Sequence, residues 1–179
     1  KRQAQSGPLL ITHWGMSGPS IIKLSAWSAE VLFDANYMID LFVNWLPNWG
    51  EGEIRDQLKK GIGGMSPFSE IPRRLWRYLL SRTNITPNQP GTTISQKQVN
   101  RLTQELSQGV FSVTGKGPFK EEFVTCGGVR LKEVNFKSME SNLCEDLYIV
   151  GELLNIDGVT GGFNFQNAWT TGYISSRKN

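Results

Sequence analysis

Asp157, Gly158, Gly161 and Gly162 fall within six residues of one another, between a short apolar run and a longer stretch of helical character. Glycines let a backbone approach a ligand closely. A helix starting near Phe163 would add unpaired N–H groups and a partial positive charge, which together suit a phosphate or an anionic ring. The spacing is not GxGxxG, so on the pattern alone an ordinary tight loop before a terminal helix is the simpler account. Glu152, just past the apolar run 147–150, reads either as an acid that accepts from a ribose hydroxyl or as a solvated loop acid. Thr125, Cys126, Gly127 and Gly128 form a second cluster of small residues, readable as a turn between strands. A reactive thiol at Cys126 would need a depressed pKa, for which the sequence offers no basic neighbour.

Other chemistries find no support in the residues. Gly115-Lys116-Gly117 resembles part of a phosphate-binding loop, but Gly109 is one residue too early and no Ser or Thr follows Lys116. His13 is the single histidine and cannot build a metal cluster with Cys126 and Cys144, which lack CxxC spacing and are expected as reduced thiols. A lone histidine in a turn is read as structural, and no GxSxG elbow marks a hydrolase.

The elements that would position these residues follow from periodicity. Before residue 37, glycines and Pro19 punctuate short apolar runs at 9–11 and 21–24, expected as strands. Tyr37, Ile39, Leu41 and Val43 alternate with their neighbours in a strand pattern. Ile54 and Leu58 mark one helix. Ile71, Leu75, Tyr78 and Leu79 mark a second, with Ser69 expected to cap it and Pro72 in its first turn. Ser95 and Gln98 form a capping box for a third helix, whose buried stripe is Val99, Leu102 and Leu106 and which ends at Gly109. Strands are expected at 111–113, 122–125, 129–134 and 147–150. Residues 163–176 follow as a helix with Phe165, Ala168, Trp169, Gly172 and Tyr173 on one packed face.

The 179 residues suffice for one substantial core or a large part of one. Hydrophobic content of 39% and charged content of 20% are those of a globular protein. The net charge of +3 is dispersed in sequence, without a nucleic-acid stripe, and no apolar run approaches the ~18 residues of a membrane span. Neither nucleic acid nor membrane is therefore expected as a partner, and the cytoplasm is the expected location.

Three ordered stretches, GPLLITHWGMSGP at 7–19, PFKEEFVTCGGV at 118–129 and GELLNIDGVTGGFNFQ at 151–166, resemble the YhiN/BaiN-like NAD(P)/FAD-dependent oxidoreductases. Met139-Glu140-Ser141 and Pro72-Arg73-Arg74-Leu75-Trp76 fall where similar residues sit in that family. The resemblance implies a mixed α+β and α/β fold: the end of an inserted β-barrel and helical domain over 1–109, then the C-terminal part of a Rossmann-type FAD-binding domain over 110–179. It places Thr125, Cys126, Gly127 and Gly128 near a flavin and Gly151 and Glu152 near the ribityl-pyrophosphate. Asp157, Gly158, Gly161, Gly162, Asn164 and Gln166 would surround the flavin and its phosphates. Asn155 stands where the family has an acid, and Cys126 where it has a small residue.

The activity implied is hydride transfer between a small-molecule substrate and FAD, with NAD(P)H as an electron donor; no catalytic acid or base is identified. The family's N-terminal GxGxxG strand is not in the sequence. FAD is therefore expected to bind only weakly to this chain, and activity to require the missing N-terminal half in cis or in trans. The alternative is a noncatalytic module or one half of a split flavoprotein.

Overall fold

In a computed structural model, residues 3–87, 93–117, 124–159 and 161–177 are described. In chain order the elements are β1 (Leu10–Ile11), β2 (Met16–Ser17), α1 (Pro19–Trp27), α2 (Ala29–Asp34), β3 (Met38–Val43), α3 (Glu51–Lys59), α4 (Arg73–Arg82), α5 (Gln96–Gln108), β4 (Gly109–Thr114), β5 (Val134–Asn135), β6 (Glu140–Ser141) and α6 (Phe163–Ser176). The fold is mixed. Its described strands make three antiparallel pairs, β1 with β2, β3 with β4, and β5 with β6. The chain divides into two compact units: one joins the two ends, 1–37 and 115–179, and the other is the middle, 38–114.

The middle unit is built as its periodicity predicts except in α4, where Trp76 and Leu80 are buried beside Leu79 and Tyr78 of the expected stripe is exposed. β3 pairs with β4 in a register running from Met38 opposite Thr114 to Val43 opposite Gly109. Ile54 and Leu58 of α3, Trp76, Leu79 and Leu80 of α4, and Val99, Leu102 and Leu106 of α5 all enter one core with Leu46 and Phe68. The Trp76 indole N–H is not stranded there, because it donates to Gly63 O at 3.0 Å. The capping box of α5 is present: Gln98 N donates to Ser95 Oγ, and Ser95 N donates to Gln98 Oε1 at 3.0 Å. Arg82 closes the unit with a fork onto both carboxylate oxygens of Glu105, at 2.9 and 3.2 Å, and a further bond to Val110 O. The compact unit runs through β4 to Thr114, a few residues past Gly109.

The end-joining unit departs from the expected strands in four places. Residues 21–24 lie within α1, not a strand; Pro19 at its start supplies a φ already suited to helix, and Gly18 at φ 98° makes the turn into it. The run 129–134 is a single parallel bridge from Val129 to Leu154, then a 3-10 turn at Leu131–Glu133, with only Val134 entering β5. In 147–150, Tyr148 makes one bridge to Glu140 and no strand forms. Such short apolar runs lack the paired neighbours that a ladder needs. Of the expected strand 122–125, residues 122 and 123 lie outside the described residues, and 124 and 125 are not in a strand.

A further correction concerns α4 in the middle unit. Its N-cap residue is Pro72, whose carbonyl accepts from Trp76 N, whereas Ser69 bonds Glu70 instead of capping.

Candidate functional site

The two glycine clusters, more than twenty residues apart in sequence, are joined by backbone pairing. Val129 N donates to Leu153 O at 2.7 Å and Asn155 N to Val129 O at 3.0 Å. This lays the 125–128 loop beside the 151–158 segment. Gly128, at φ 136°, is what admits the approach: a Cβ there would stand 2.7 Å from backbone atoms of both Leu153 and Leu154. Gly127, at φ 107°, has open space where its Cβ would be. Thr125 and Cys126 are exposed beside it.

Gly151 anchors the segment to α6. Its N–H donates to Thr171 Oγ1 at 2.9 Å, its carbonyl accepts from Asn167 Nδ2 at 3.2 Å, and a Cβ at its position would meet that of Ala168 at 3.6 Å. Asn167 and Thr171 escaped the sequence reading. They lie four apart on one helical face, but nothing in the pattern identifies a glycine twenty residues upstream as the partner. Glu152 is exposed in the 3-10 turn Gly151–Leu153.

The loop ahead of α6 is closed by one side chain. Gly158 N donates to Asn164 Oδ1 at 2.7 Å, and Asn164 Nδ2 donates back to Gly158 O at 3.0 Å. Gly162 then takes the left-handed N-cap position at φ 94°, with Gly161 at φ 125° before it and no side chain capping the helix. The start of α6 therefore keeps backbone N–H groups without side-chain partners next to glycines whose missing side chains leave space, the arrangement that an anionic oxygen or phosphate would fill. Gln166 is exposed and donates from Nε2 to Thr170 Oγ1.

Asp157 links both clusters, since its carboxylate interacts with the Cys126 thiol. What burial the sulfur has, followed by the Asp157 carboxylate and the charge of Glu30, pushes that thiol above its ordinary range.

The packed face expected on α6 is corrected. Phe165, Trp169 and Tyr173 are exposed, Trp169 by 70%, and the helix instead turns Ala168, Thr171 and Ile174 inward. Gly151 explains the choice: its bare α-carbon accepts the small face of the helix and leaves the rings outside. Two cavities, of about 130 and 460 Å³, are lined wholly by residues of the middle unit and by none of the glycine-cluster residues. Among the described residues no helix is long and apolar enough to cross a membrane.

Residues 1–124 match the family described as HI0933-like protein barrel and H2TH domain. The chain is 29% identical over 96% of its length to a 3-dehydro-bile acid delta(4,6)-reductase of Clostridium scindens, covering 44% of that protein. It is 32% identical over 92% of its length to a ribosomal RNA dihydrouridine synthase of Haemophilus influenzae, covering 40% of it, and 27% identical over 94% to one of Escherichia coli, covering 41%. The chain thus spans less than half the length of the curated relatives it matches.

Proposed function

Because the chain belongs to the HI0933-like family, we propose that it forms the flavin-facing part of an FAD-dependent oxidoreductase that saturates a carbon–carbon double bond, with NAD(P)H as electron donor. The observation that carries this reading is the convergence of two glycine clusters, pinned by the Val129–Leu154 bridge, at an uncapped helix start. The names of the relatives, a delta(4,6)-reductase and two dihydrouridine synthases, both describe adding hydrogen across a double bond.

The residues present fit the group. Gly127, Gly161 and Gly162 leave backbone open, and the first N–H groups of α6 would orient an anionic oxygen of the flavin ring or its phosphates. Bound there, the flavin supplies the hydride chemistry. The chain holds the loop in shape through the Asn164 clasp, fixes the 151–158 segment on α6 through Thr171 and Asn167, and sets Asp157 beside Cys126. The division into an inserted domain up to about residue 109 and a returning FAD domain beyond it belongs to the same proposal. So does completion of the site by an N-terminal half, in cis or in trans.

The substrate proposed is a small molecule with a conjugated double bond.

The test is an FAD titration of the purified chain, followed by gel filtration, with and without a polypeptide supplying the N-terminal part of the longer relatives. Flavin absorbance retained only in the mixture supports the proposal. Failure to retain flavin in either case leaves the noncatalytic alternative in its place.

A further inference from the structure

The chain passes between its two compact units twice, from Tyr37 to Met38 and from Thr114 to Gly115. The crossings are neighbours, because Met38 stands opposite Thr114 at the end of the β3–β4 ladder. Each unit keeps a buried cluster of its own, so a turn at the crossings need loosen neither.

The backbone at the first crossing is strained. α2 ends in a two-bond cap, in which Asn36 N donates to Phe33 O at 2.9 Å and Tyr37 N to Leu32 O at 2.7 Å. Such a cap needs one left-handed residue, and Asn36 at φ 51° supplies it from a side chain that tolerates the region. Tyr37 is left-handed as well, at φ 58°, which the cap does not require and a bulky residue disfavours. Met139 is the other large side chain so placed among the described residues, but it is fully buried and its carbonyl accepts from Ile149 N, so a core fixes it. Tyr37 is only half-buried. Over its ring lies the ammonium of Lys116, 4.6 Å from the centroid.

Lys116 belongs to the second crossing. Between it and the ladder stands Gly115, exposed and with nothing within 4 Å of where a Cβ would be. One crossing therefore stores strain, the other is free to follow, and a single exposed contact joins them.

We propose that Tyr37 and Gly115 form the two strands of a hinge between the units, latched by Lys116 on the Tyr37 ring. In the latched state Tyr37 keeps its left-handed backbone. When the ammonium leaves the ring, Tyr37 relaxes to an ordinary backbone region and Met38 turns with it, while Gly115 lets the returning strand follow. The hinge involves no flavin, so it stands or falls apart from the proposed function.

The test is the distance distribution between two nitroxide labels, measured on the full chain by double electron–electron resonance. One label sits on Cys144 in the end-joining unit and the other on Lys97→Cys in the middle unit, both exposed positions, in a Cys126→Ser background. The parent is expected to give one narrow distribution. Lys116→Gln should raise the population at other distances by about three- to tenfold, the range that loss of a cation–π contact sets. Lys116→Arg keeps a cation over the ring and should behave as the parent does. The decisive variant combines Lys116→Gln with Tyr37→Asn: asparagine tolerates the left-handed region without a latch, so the narrow distribution should return. Far-UV circular dichroism melts that overlay those of the parent show that neither core has loosened. A broad distribution in the parent, no change in Lys116→Gln, or broadening that persists in the double variant overturns the proposal.

Discussion

Among the described residues, the middle unit gathers thirteen buried hydrophobic residues in one core, whereas the unit joining the two chain ends gathers four, Val134, Met139, Ile149 and Leu154. The exposed apolar side chains are distributed the opposite way. Trp27, Val31, Phe33, Leu143, Leu153, Phe163, Phe165, Trp169 and Tyr173 all lie in the end-joining unit, and Met38, Phe42, Met65, Tyr78 and Val110 in the middle one. Burial scales with the chain available to supply it, so a unit with a small core and a large apolar surface depends less on its own packing. The candidate flavin residues all belong to this second kind of unit. The contrast places the candidate flavin residues in the region with the smaller core of its own.

The contrast is most directly broken at its strongest point. Trp76→Ala removes the largest fully buried side chain of the middle unit, and should cost about 3–5 kcal/mol, enough to abolish a cooperative thermal transition read by circular dichroism. If the transition persists with little change, the middle core is not the main source of stability. A smaller effect is expected at Gly128→Ala, where a positive φ and a 2.7 Å approach to Leu153 and Leu154 leave no room for a methyl group. Strain of about 1–3 kcal/mol should open the Val129–Leu154 pairing and speed amide exchange at Val129 and Asn155, with α5 untouched. Unchanged exchange at those two amides would show that the pairing does not hold the site together.

The smallest effect concerns ionisation and no large stability term. Alkylation of Cys126 by iodoacetamide should rise with pH at a midpoint above the ~8.5 of a free thiol, and Asp157→Asn should lower that midpoint. The sign follows from the raised folded-state value: the favourable interaction is present while the thiol is protonated and is lost as pH climbs through the folded pKa. A midpoint at or below that of a free thiol would remove Asp157 as the partner.

The sequence by itself determined what local periodicity encodes. β3, α3, α5 with its Ser95 and Gln98 box, and α6 across 163–176 were all legible, because each repeats its apolar or capping residues at the period of its own backbone. The glycine clusters that resemble the flavoprotein family were legible too, as was the start of α6 beside them. What only the tertiary structure decided is everything that depends on a distant partner. Residues 21–24 read as a strand but lie in α1, only Val134 of 129–134 joins a ladder, and Phe165, Trp169 and Tyr173 read as a packed face but lost that role when bare Gly151 took Ala168 and Thr171 instead. Likewise each of the six acids of the middle unit finds its partner through the fold, Glu70 at the Trp49 indole and Asp40 at Ser112 among them, which charge counted along a chain does not contain.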